Sequence, residues 1–180
     1  MAIYYPSGCD NEVVSRICSP CPDIELGRVR RIAAVHKSFS FVNIESEAEW
    51  DAGIAQDKIV IFDAVNGSYD GGTATLVPGT GDQPTRKTGK TFKVTFKDFN
   101  FIGNHPSYSA LENSNNWRVA YGSESLMQLS DRAASWEAKD PIEDSDTSER
   151  AWEVTVSFVQ KNAPVPFLTP LTVFRCFGEV

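Results

Sequence analysis

The strictest pattern in this chain is AWEVTVSFV, residues 151 to 159, in which Trp152, Val154, Val156 and Phe158 alternate with Glu153, Thr155 and Ser157. Period two marks a strand with one face buried. TFKVTFKDF, from residue 91, repeats it, with Phe92, Val94 and Phe96 on one side and Lys93, Thr95 and Lys97 on the other. Shorter β-branched or alternating runs follow the same logic: KIVIFDAV at 58 to 65, WRVAYG at 117 to 122, SLMQLS at 125 to 130 and AASWEAK at 133 to 139. Two segments have helical character. SEAEWDAGIA places Ser46 and Glu49 at capping-box spacing, with Trp50 and Ile54 on one face. PSYSALENSNN opens on Pro106 and carries Tyr108 and Leu111 in its apolar stripe. Many short strands with turn signals between them predict an all-β fold, an antiparallel β-sandwich or barrel with one or two short helices and a long glycine-rich hairpin or loop.

A length of 180 residues suits one domain. Residues 1 to 26 hold Pro6, Pro20 and Pro22 without periodicity, which predicts an extended N-terminal arm; 27 to 180 then form a single β-sandwich-like domain. Within it GRVRRIAAVH and the Ser-Phe-Ser-Phe alternation at 38 to 41 favour strands. Pro164, Pro166 and Pro170 exclude a central strand near the end, leaving LTVFRCF as a closing edge strand.

Residues 66 to 91 need a separate explanation. Six glycines from Gly67 to Gly89 punctuate NGSYDGGTATLVPGTGDQPTRKTGKT, and loops beyond about 12 to 15 residues are usually functional. The segment ends in Gly89-Lys90-Thr91, the close of a phosphate-binding loop. Such a loop has a glycine five positions earlier, and a helix starts at its Lys-Thr. Here Pro84 stands at the first position, without an N–H, and a period-two run follows. No nucleotide site is expected.

A net charge of −7 and a pI near 4.8 oppose a protein built to neutralise nucleic-acid phosphates. Aromatic residues beside basic ones, as in Phe92-Lys93, point to opposite faces of a strand and do not make a base-stacking platform. No signal peptide or long apolar run is present, so no membrane insertion is expected and synthesis in the cytosol is. Basic residues Arg86, Lys87, Lys90, Lys93 and Lys97 gather in one stretch, while Glu137, Asp140, Glu143, Asp144, Asp146 and Glu149 gather in another. That division suits either register between stacked copies or plain solvated surface.

Catalytic signals are sparse. His36 and His105 are the two imidazoles, and neither lies in a nucleophile-elbow context. No calcium-loop spacing occurs among the acids. Cys18 and Cys21 have CxxC spacing; with Cys9 and Cys176 they would complete a structural zinc site, and a redox pair, disulfides or free thiols are the other readings. No other cofactor and no enzymatic activity are expected.

The order of GRVRRIAAVHKSF, the excursion VNGSYDGGTATLVPGTGDQPTRKTGKT, the strand FKVTFKDFNF, NNWRVAYGSES and finally WEVTVSF resembles β-rich virion proteins of tailed bacteriophages, over roughly residues 27 to 160. Tail-tube and tail-hub proteins are the nearest in layout, especially those of phages of Bacteroidota, with accessory capsid or head–tail joining proteins as the alternative. The resemblance implies a non-enzymatic structural subunit assembled in the host cytoplasm into the virion, a homo-oligomer in contact with other virion proteins. It also implies that the 66 to 91 excursion reaches over a neighbouring subunit, with Gly71, Gly72, Val77, Thr85, Arg86, Lys87, Lys90 and Lys93 at the interface. A reading of another class is a carbohydrate-binding β-sandwich using Trp50, Trp117 or Trp136 as sugar platforms.

Overall fold

The computed structural model describes residues 27–62, 65–81, 85–142 and 150–174. In chain order its elements are β1 (Arg31–His36), α1 (Glu47–Ala55), β2 (Ile59–Phe62), β3 (Val65–Tyr69), β4 (Thr73–Val77), β5 (Arg86–Asp98), α2 (His105–Glu112), β6 (Trp117–Gly122), β7 (Leu126–Leu129), β8 (Ser135–Lys139), β9 (Trp152–Gln160) and β10 (Pro166–Leu168). They form two antiparallel sheets. One has the order β10-β7-β6-β1-β2; the other runs β3-β5-β9-β8, with β4 also on β5. This is the all-β sandwich that the alternating runs predict.

The second sheet owes its position to the two longest alternations. β5 and β9 pair from Lys90 opposite Gln160 to Asp98 opposite Trp152. Phe92, Val94 and Phe96 thereby face inward beside Val154, Val156 and Phe158, all buried. Rings of Phe92 and Phe158 stack at 5.2 Å. Each such side chain contributes roughly 1.5–3 kcal/mol on leaving water. The outward positions carry Thr95, whose hydroxyl meets Ser68 at 3.0 Å, and Lys97, which pairs with Glu153 at 3.1 Å.

The first sheet is buried on both faces. Ile32 and Ala34 of β1 belong to the core between the sheets, whereas Ala33 and Val35 join Trp50, Ile59, Ala120, Met127, Phe167 and Phe174 in a second core on the far side. RIAAVH therefore reads as a near-continuous apolar run rather than an alternation. A third layer, made of α1, the segment before it and residues after β10, covers that far face.

Several sequence expectations change here. Ser-Phe-Ser-Phe at 38 to 41 is not a strand: Phe39 and Phe41 pack edge-on to each other, and Phe41 packs against Trp50 as part of the covering layer. The Ser46/Glu49 capping box does not form. Ser46 makes no side-chain cap, and the Glu49 carboxylate accepts from the backbone N–H groups of Val42 and Asn43 instead. Ile54 is partly exposed, while Trp50 is fully buried with its indole N–H on the Ile44 carbonyl at 2.7 Å. Residues 171–174 of LTVFRCF are a turn, and the closing edge strand is β10, which starts at Pro166. α2 forms as expected, with proline in its first turn and Tyr108 and Leu111 buried.

Candidate assembly surface

The excursion from 66 to 91 is largely regular. β3 pairs with β5 from Val65 opposite Asp98 to Tyr69 opposite Val94, and β4 pairs with the same edge of β5 from Thr73 opposite Thr91 to Val77 opposite Arg86. Three residues, Asp70, Gly71 and Gly72, thus face two, Phe92 and Lys93. β3 and β4 are one long strand interrupted by a bulge. Asp70 holds the bulge: its Oδ1 accepts from the N–H groups of Gly72 at 2.9 Å and Lys93 at 3.0 Å. Gly71 and Gly72 have φ of 73° and 86°, and a Cβ on Gly72 would lie 2.3 Å from the Phe92 ring. A second irregularity falls between Thr75 and Leu76, where Thr88 is the extra residue on β5 and its hydroxyl bonds the Thr75 carbonyl. Gly67 serves another purpose. It lies so near β5 that a Cβ would sit 2.4 Å from the Thr95 carbonyl oxygen, and its free side exchanges backbone bonds with Val29.

The far half of this hairpin leaves the sandwich. β9 accompanies β5 only as far as Lys90, so Arg86 to Gly89 pair with β4 alone and extend roughly 13 Å past the sandwich at 3.2–3.4 Å per residue. All five residues of β4 are exposed, Leu76 at 59% and Val77 at 47%. Val77, Thr85, Arg86 and Lys87 lie together on this projection, and Gly71 and Gly72 form its root. Lys90 and Lys93 separate from them. Lys90 is half-buried beside Gln160, and Lys93 stands on the outer face of the sheet. The expected interface residues are therefore one group at the arm and two lysines elsewhere on β5.

Edge strands attract other chains unless something blocks them. The Glu45 carboxylate accepts the Leu168 N–H of the proline-started β10, and Glu112 accepts the Ala138 N–H of β8, which also carries Glu137 and Lys139. Val29 covers β3 at Gly67. β4, the sequence TATLV, carries no charge and no proline, no carboxylate is bonded to its backbone N–H groups among the described residues, and β5 is its one strand partner there; the irregularity at Thr75/Leu76 is its one interruption.

The other candidate groups divide differently. Gly89-Lys90-Thr91 lies inside β5 rather than at a helix start. His36 has Ser38 Oγ at 2.7 Å from Nδ1 and Trp117 edge-on, and burial together with Lys58 and Lys37 lowers its pKa. Those lysines oppose the imidazolium that a general base must become. His105 packs near Trp152. Trp50 and Trp136 are core residues and Trp117 is half-buried against His36, so none is a flat exposed platform. Cys9, Cys18, Cys21 and Cys176 lie outside the described residues, as do residues 143–149 of the acidic run; among the described residues no three metal-ligating side chains cluster. Glu137 pairs with Lys139 and Asp140 with Arg150.

One buried group escaped the sequence reading. Asp98, at the end of β5, is fully buried and accepts from the Tyr108 hydroxyl, from Asn104 Nδ2 at 2.6 Å and from the Asn100 N–H at 2.9 Å. Its phase with Phe92, Val94 and Phe96 places it inward. With three donors and no exposure, it fastens α2 to the sheet.

No family model, curated protein or solved structure matches this chain. Among the described residues no helix is long and apolar enough to cross a membrane.

Proposed function

We propose that this chain is a structural subunit that assembles through the β4–β5 arm, and that its place is in a phage particle, in the tail tube or tail hub. The observation that supports the reading is the contrast among edges: those of β10, β8 and β3 are blocked and β2 has no exposed residue, whereas β4 projects from the body uncharged and, among the described residues, has β5 as its one strand partner. A closed monomer gains nothing from such an edge, which exposes Leu76 and Val77 and invites aggregation. A subunit that adds its strand to a neighbour's sheet gains backbone hydrogen bonds along its length. Arg86 and Lys87, directly across from Val77 and Leu76, give the approach a sign and favour an acidic receiving surface.

The phage assignment rests on the layout resemblance, and the accessory capsid or head–tail joining role shares the same arm. The genes beside this one test it. Portal, major-capsid or tail genes as neighbours support the assignment, whereas biosynthetic or transport genes contradict it.

A further inference from the structure

Asparagine or aspartate stands directly before glycine at two places, Asn66-Gly67 and Asp70-Gly71. Glycine has no Cβ to hinder its own nitrogen. That nitrogen can lose its proton and bond to the preceding side chain's Cγ, closing a five-membered succinimide while ammonia leaves from asparagine, or water from aspartic acid. Water then opens the ring. Opening at the α-carbonyl routes the main chain through Cγ and leaves isoaspartate, one backbone atom longer. Ammonia is expelled more readily than water at neutral pH, so in an unfolded chain Asn66 reacts first.

The fold reverses that order. Asn66 and Gly67 lie inside β3, opposite Lys97 and Phe96 of β5. The Gly67 N–H donates to the Val29 carbonyl at 2.9 Å, and the Asn66 side-chain oxygen accepts from the Arg28 guanidinium. Gly67 is also pressed against β5, where a Cβ would lie 2.9 Å from the Phe96 Cα. The attacking nitrogen is occupied, and the ring has no room until β3 opens locally. Asp70 and Gly71 are instead exposed, between β3 and β4. Among the described residues nothing accepts the Gly71 N–H, and nothing lies within 4 Å of a Cβ on Gly71. The bond from the Gly72 N–H to Asp70 Oδ1 closes a turn that contains the Gly71 nitrogen, so nucleophile and Cγ are kept in one small loop of atoms.

We propose that Asp70-Gly71 is a modification site of the folded chain, converting to isoaspartate while Asn66 persists. Asp70 Oδ1 holds the bulge through Gly72 and Lys93, so the added backbone atom falls at the root of the hairpin and shifts β4 against β5. The inference depends on neither the phage reading nor assembly through the arm.

Ageing the full-length protein for weeks at neutral pH tests it, with one sample folded in buffer and one in guanidinium chloride. The peptide carrying both residues is then fragmented by electron transfer, which cleaves the Cα–Cβ bond of isoaspartate and so places it. In buffer, isoaspartate at 70 should exceed all products at 66 by about tenfold or more, and in denaturant the order should invert. Conversion at 66 ahead of 70 in the folded protein would overturn the proposal. So would no isoaspartate at 70 once the denatured sample has converted, or the same order in both samples.

Discussion

The Tyr108 hydroxyl donates to the Asp98 carboxylate, and both groups are buried. One side chain belongs to α2 and the other to the last position of β5, so this contact joins the helix to the sheet that carries the arm. Tyr108 also stacks on Phe62 at 4.9 Å and packs against Trp152. Asp98→Ala strands three donors at once and should cost about 3–5 kcal/mol. That is a fall of roughly 6 to 20 °C in melting temperature for a chain of this size. Tyr108→Phe removes one hydrogen bond and should cost about 1–2 kcal/mol. Equal effects from the two changes would contradict the three-donor account.

Alkaline stability follows from the tyrosines. Burial is the main cause that raises the pKa of Tyr108, helped by Asp98, and it raises Tyr121 and Tyr69 as well. A group whose folded pKa is raised contributes its full stability below the unfolded value, near 10 for tyrosine, and loses it as the pH climbs further. Stability should therefore hold to about pH 10 and then decline. Phenolate absorbance of these three residues should rise only together with loss of the near-ultraviolet circular dichroism. Phenolate formation at any of these three in a fully folded protein near pH 10, followed in variants that lack Tyr4 and Tyr5, would contradict the burial.

Gly71 and Gly72 share a positive φ but not a neighbourhood. Nothing lies within 4 Å of a Cβ on Gly71, whereas one on Gly72 meets Phe92. Gly71→Ala should cost about 1–2 kcal/mol, the price of a left-handed backbone alone. Gly72→Ala adds overpacking and should cost about 2–5 kcal/mol. Chemical denaturation of the two variants checks the order.

Much of this fold was legible because two strands follow period two without interruption. WRVAYG coincides with β6, and the inward residues of β5 and β9 are those the alternation selects. Asp98 was legible by the same phase, but a carboxylate at the end of a basic strand reads as surface until Tyr108 and Asn104 are seen to meet it. β1 hides its double burial because an apolar run of four residues has no periodicity to show a second covering layer. Phe39 and Phe41 alternate like strand residues and pack on Trp50 instead, a tertiary contact that overrides local propensity. At the arm, composition marked the glycines, yet the pairing of β3 and β4 along one edge of β5 depends on a register that no local signal fixes.

Charge at the arm should act on association rather than on folding. Arg86→Glu with Lys87→Glu alters two exposed positions and should change the melting temperature by less than about 2 °C. Association should weaken, and most at low salt, since salt screens such attraction beyond about 8–10 Å. Sedimentation of the double variant in low and high salt checks both parts; undiminished association at low salt would contradict an acidic receiving surface.

The central claim is that β4 and the far half of β5 serve assembly and not the stability of the subunit. Thr75 and Gly89 are partners in register, so residues 76 to 88 can be replaced by Asn-Gly, which closes a two-residue hairpin turn. The variant keeps the Asp70 bulge, Gly72 against Phe92, and every buried residue of β5 from Phe92 onward. Mass by multi-angle light scattering, measured across a concentration series on the parent and the shortened chain, decides the matter. The account predicts a parent that forms oligomers and a shortened chain that stays monomeric with its melting temperature intact. A parent that is monomeric throughout, or a shortened chain that assembles as the parent does, would contradict it.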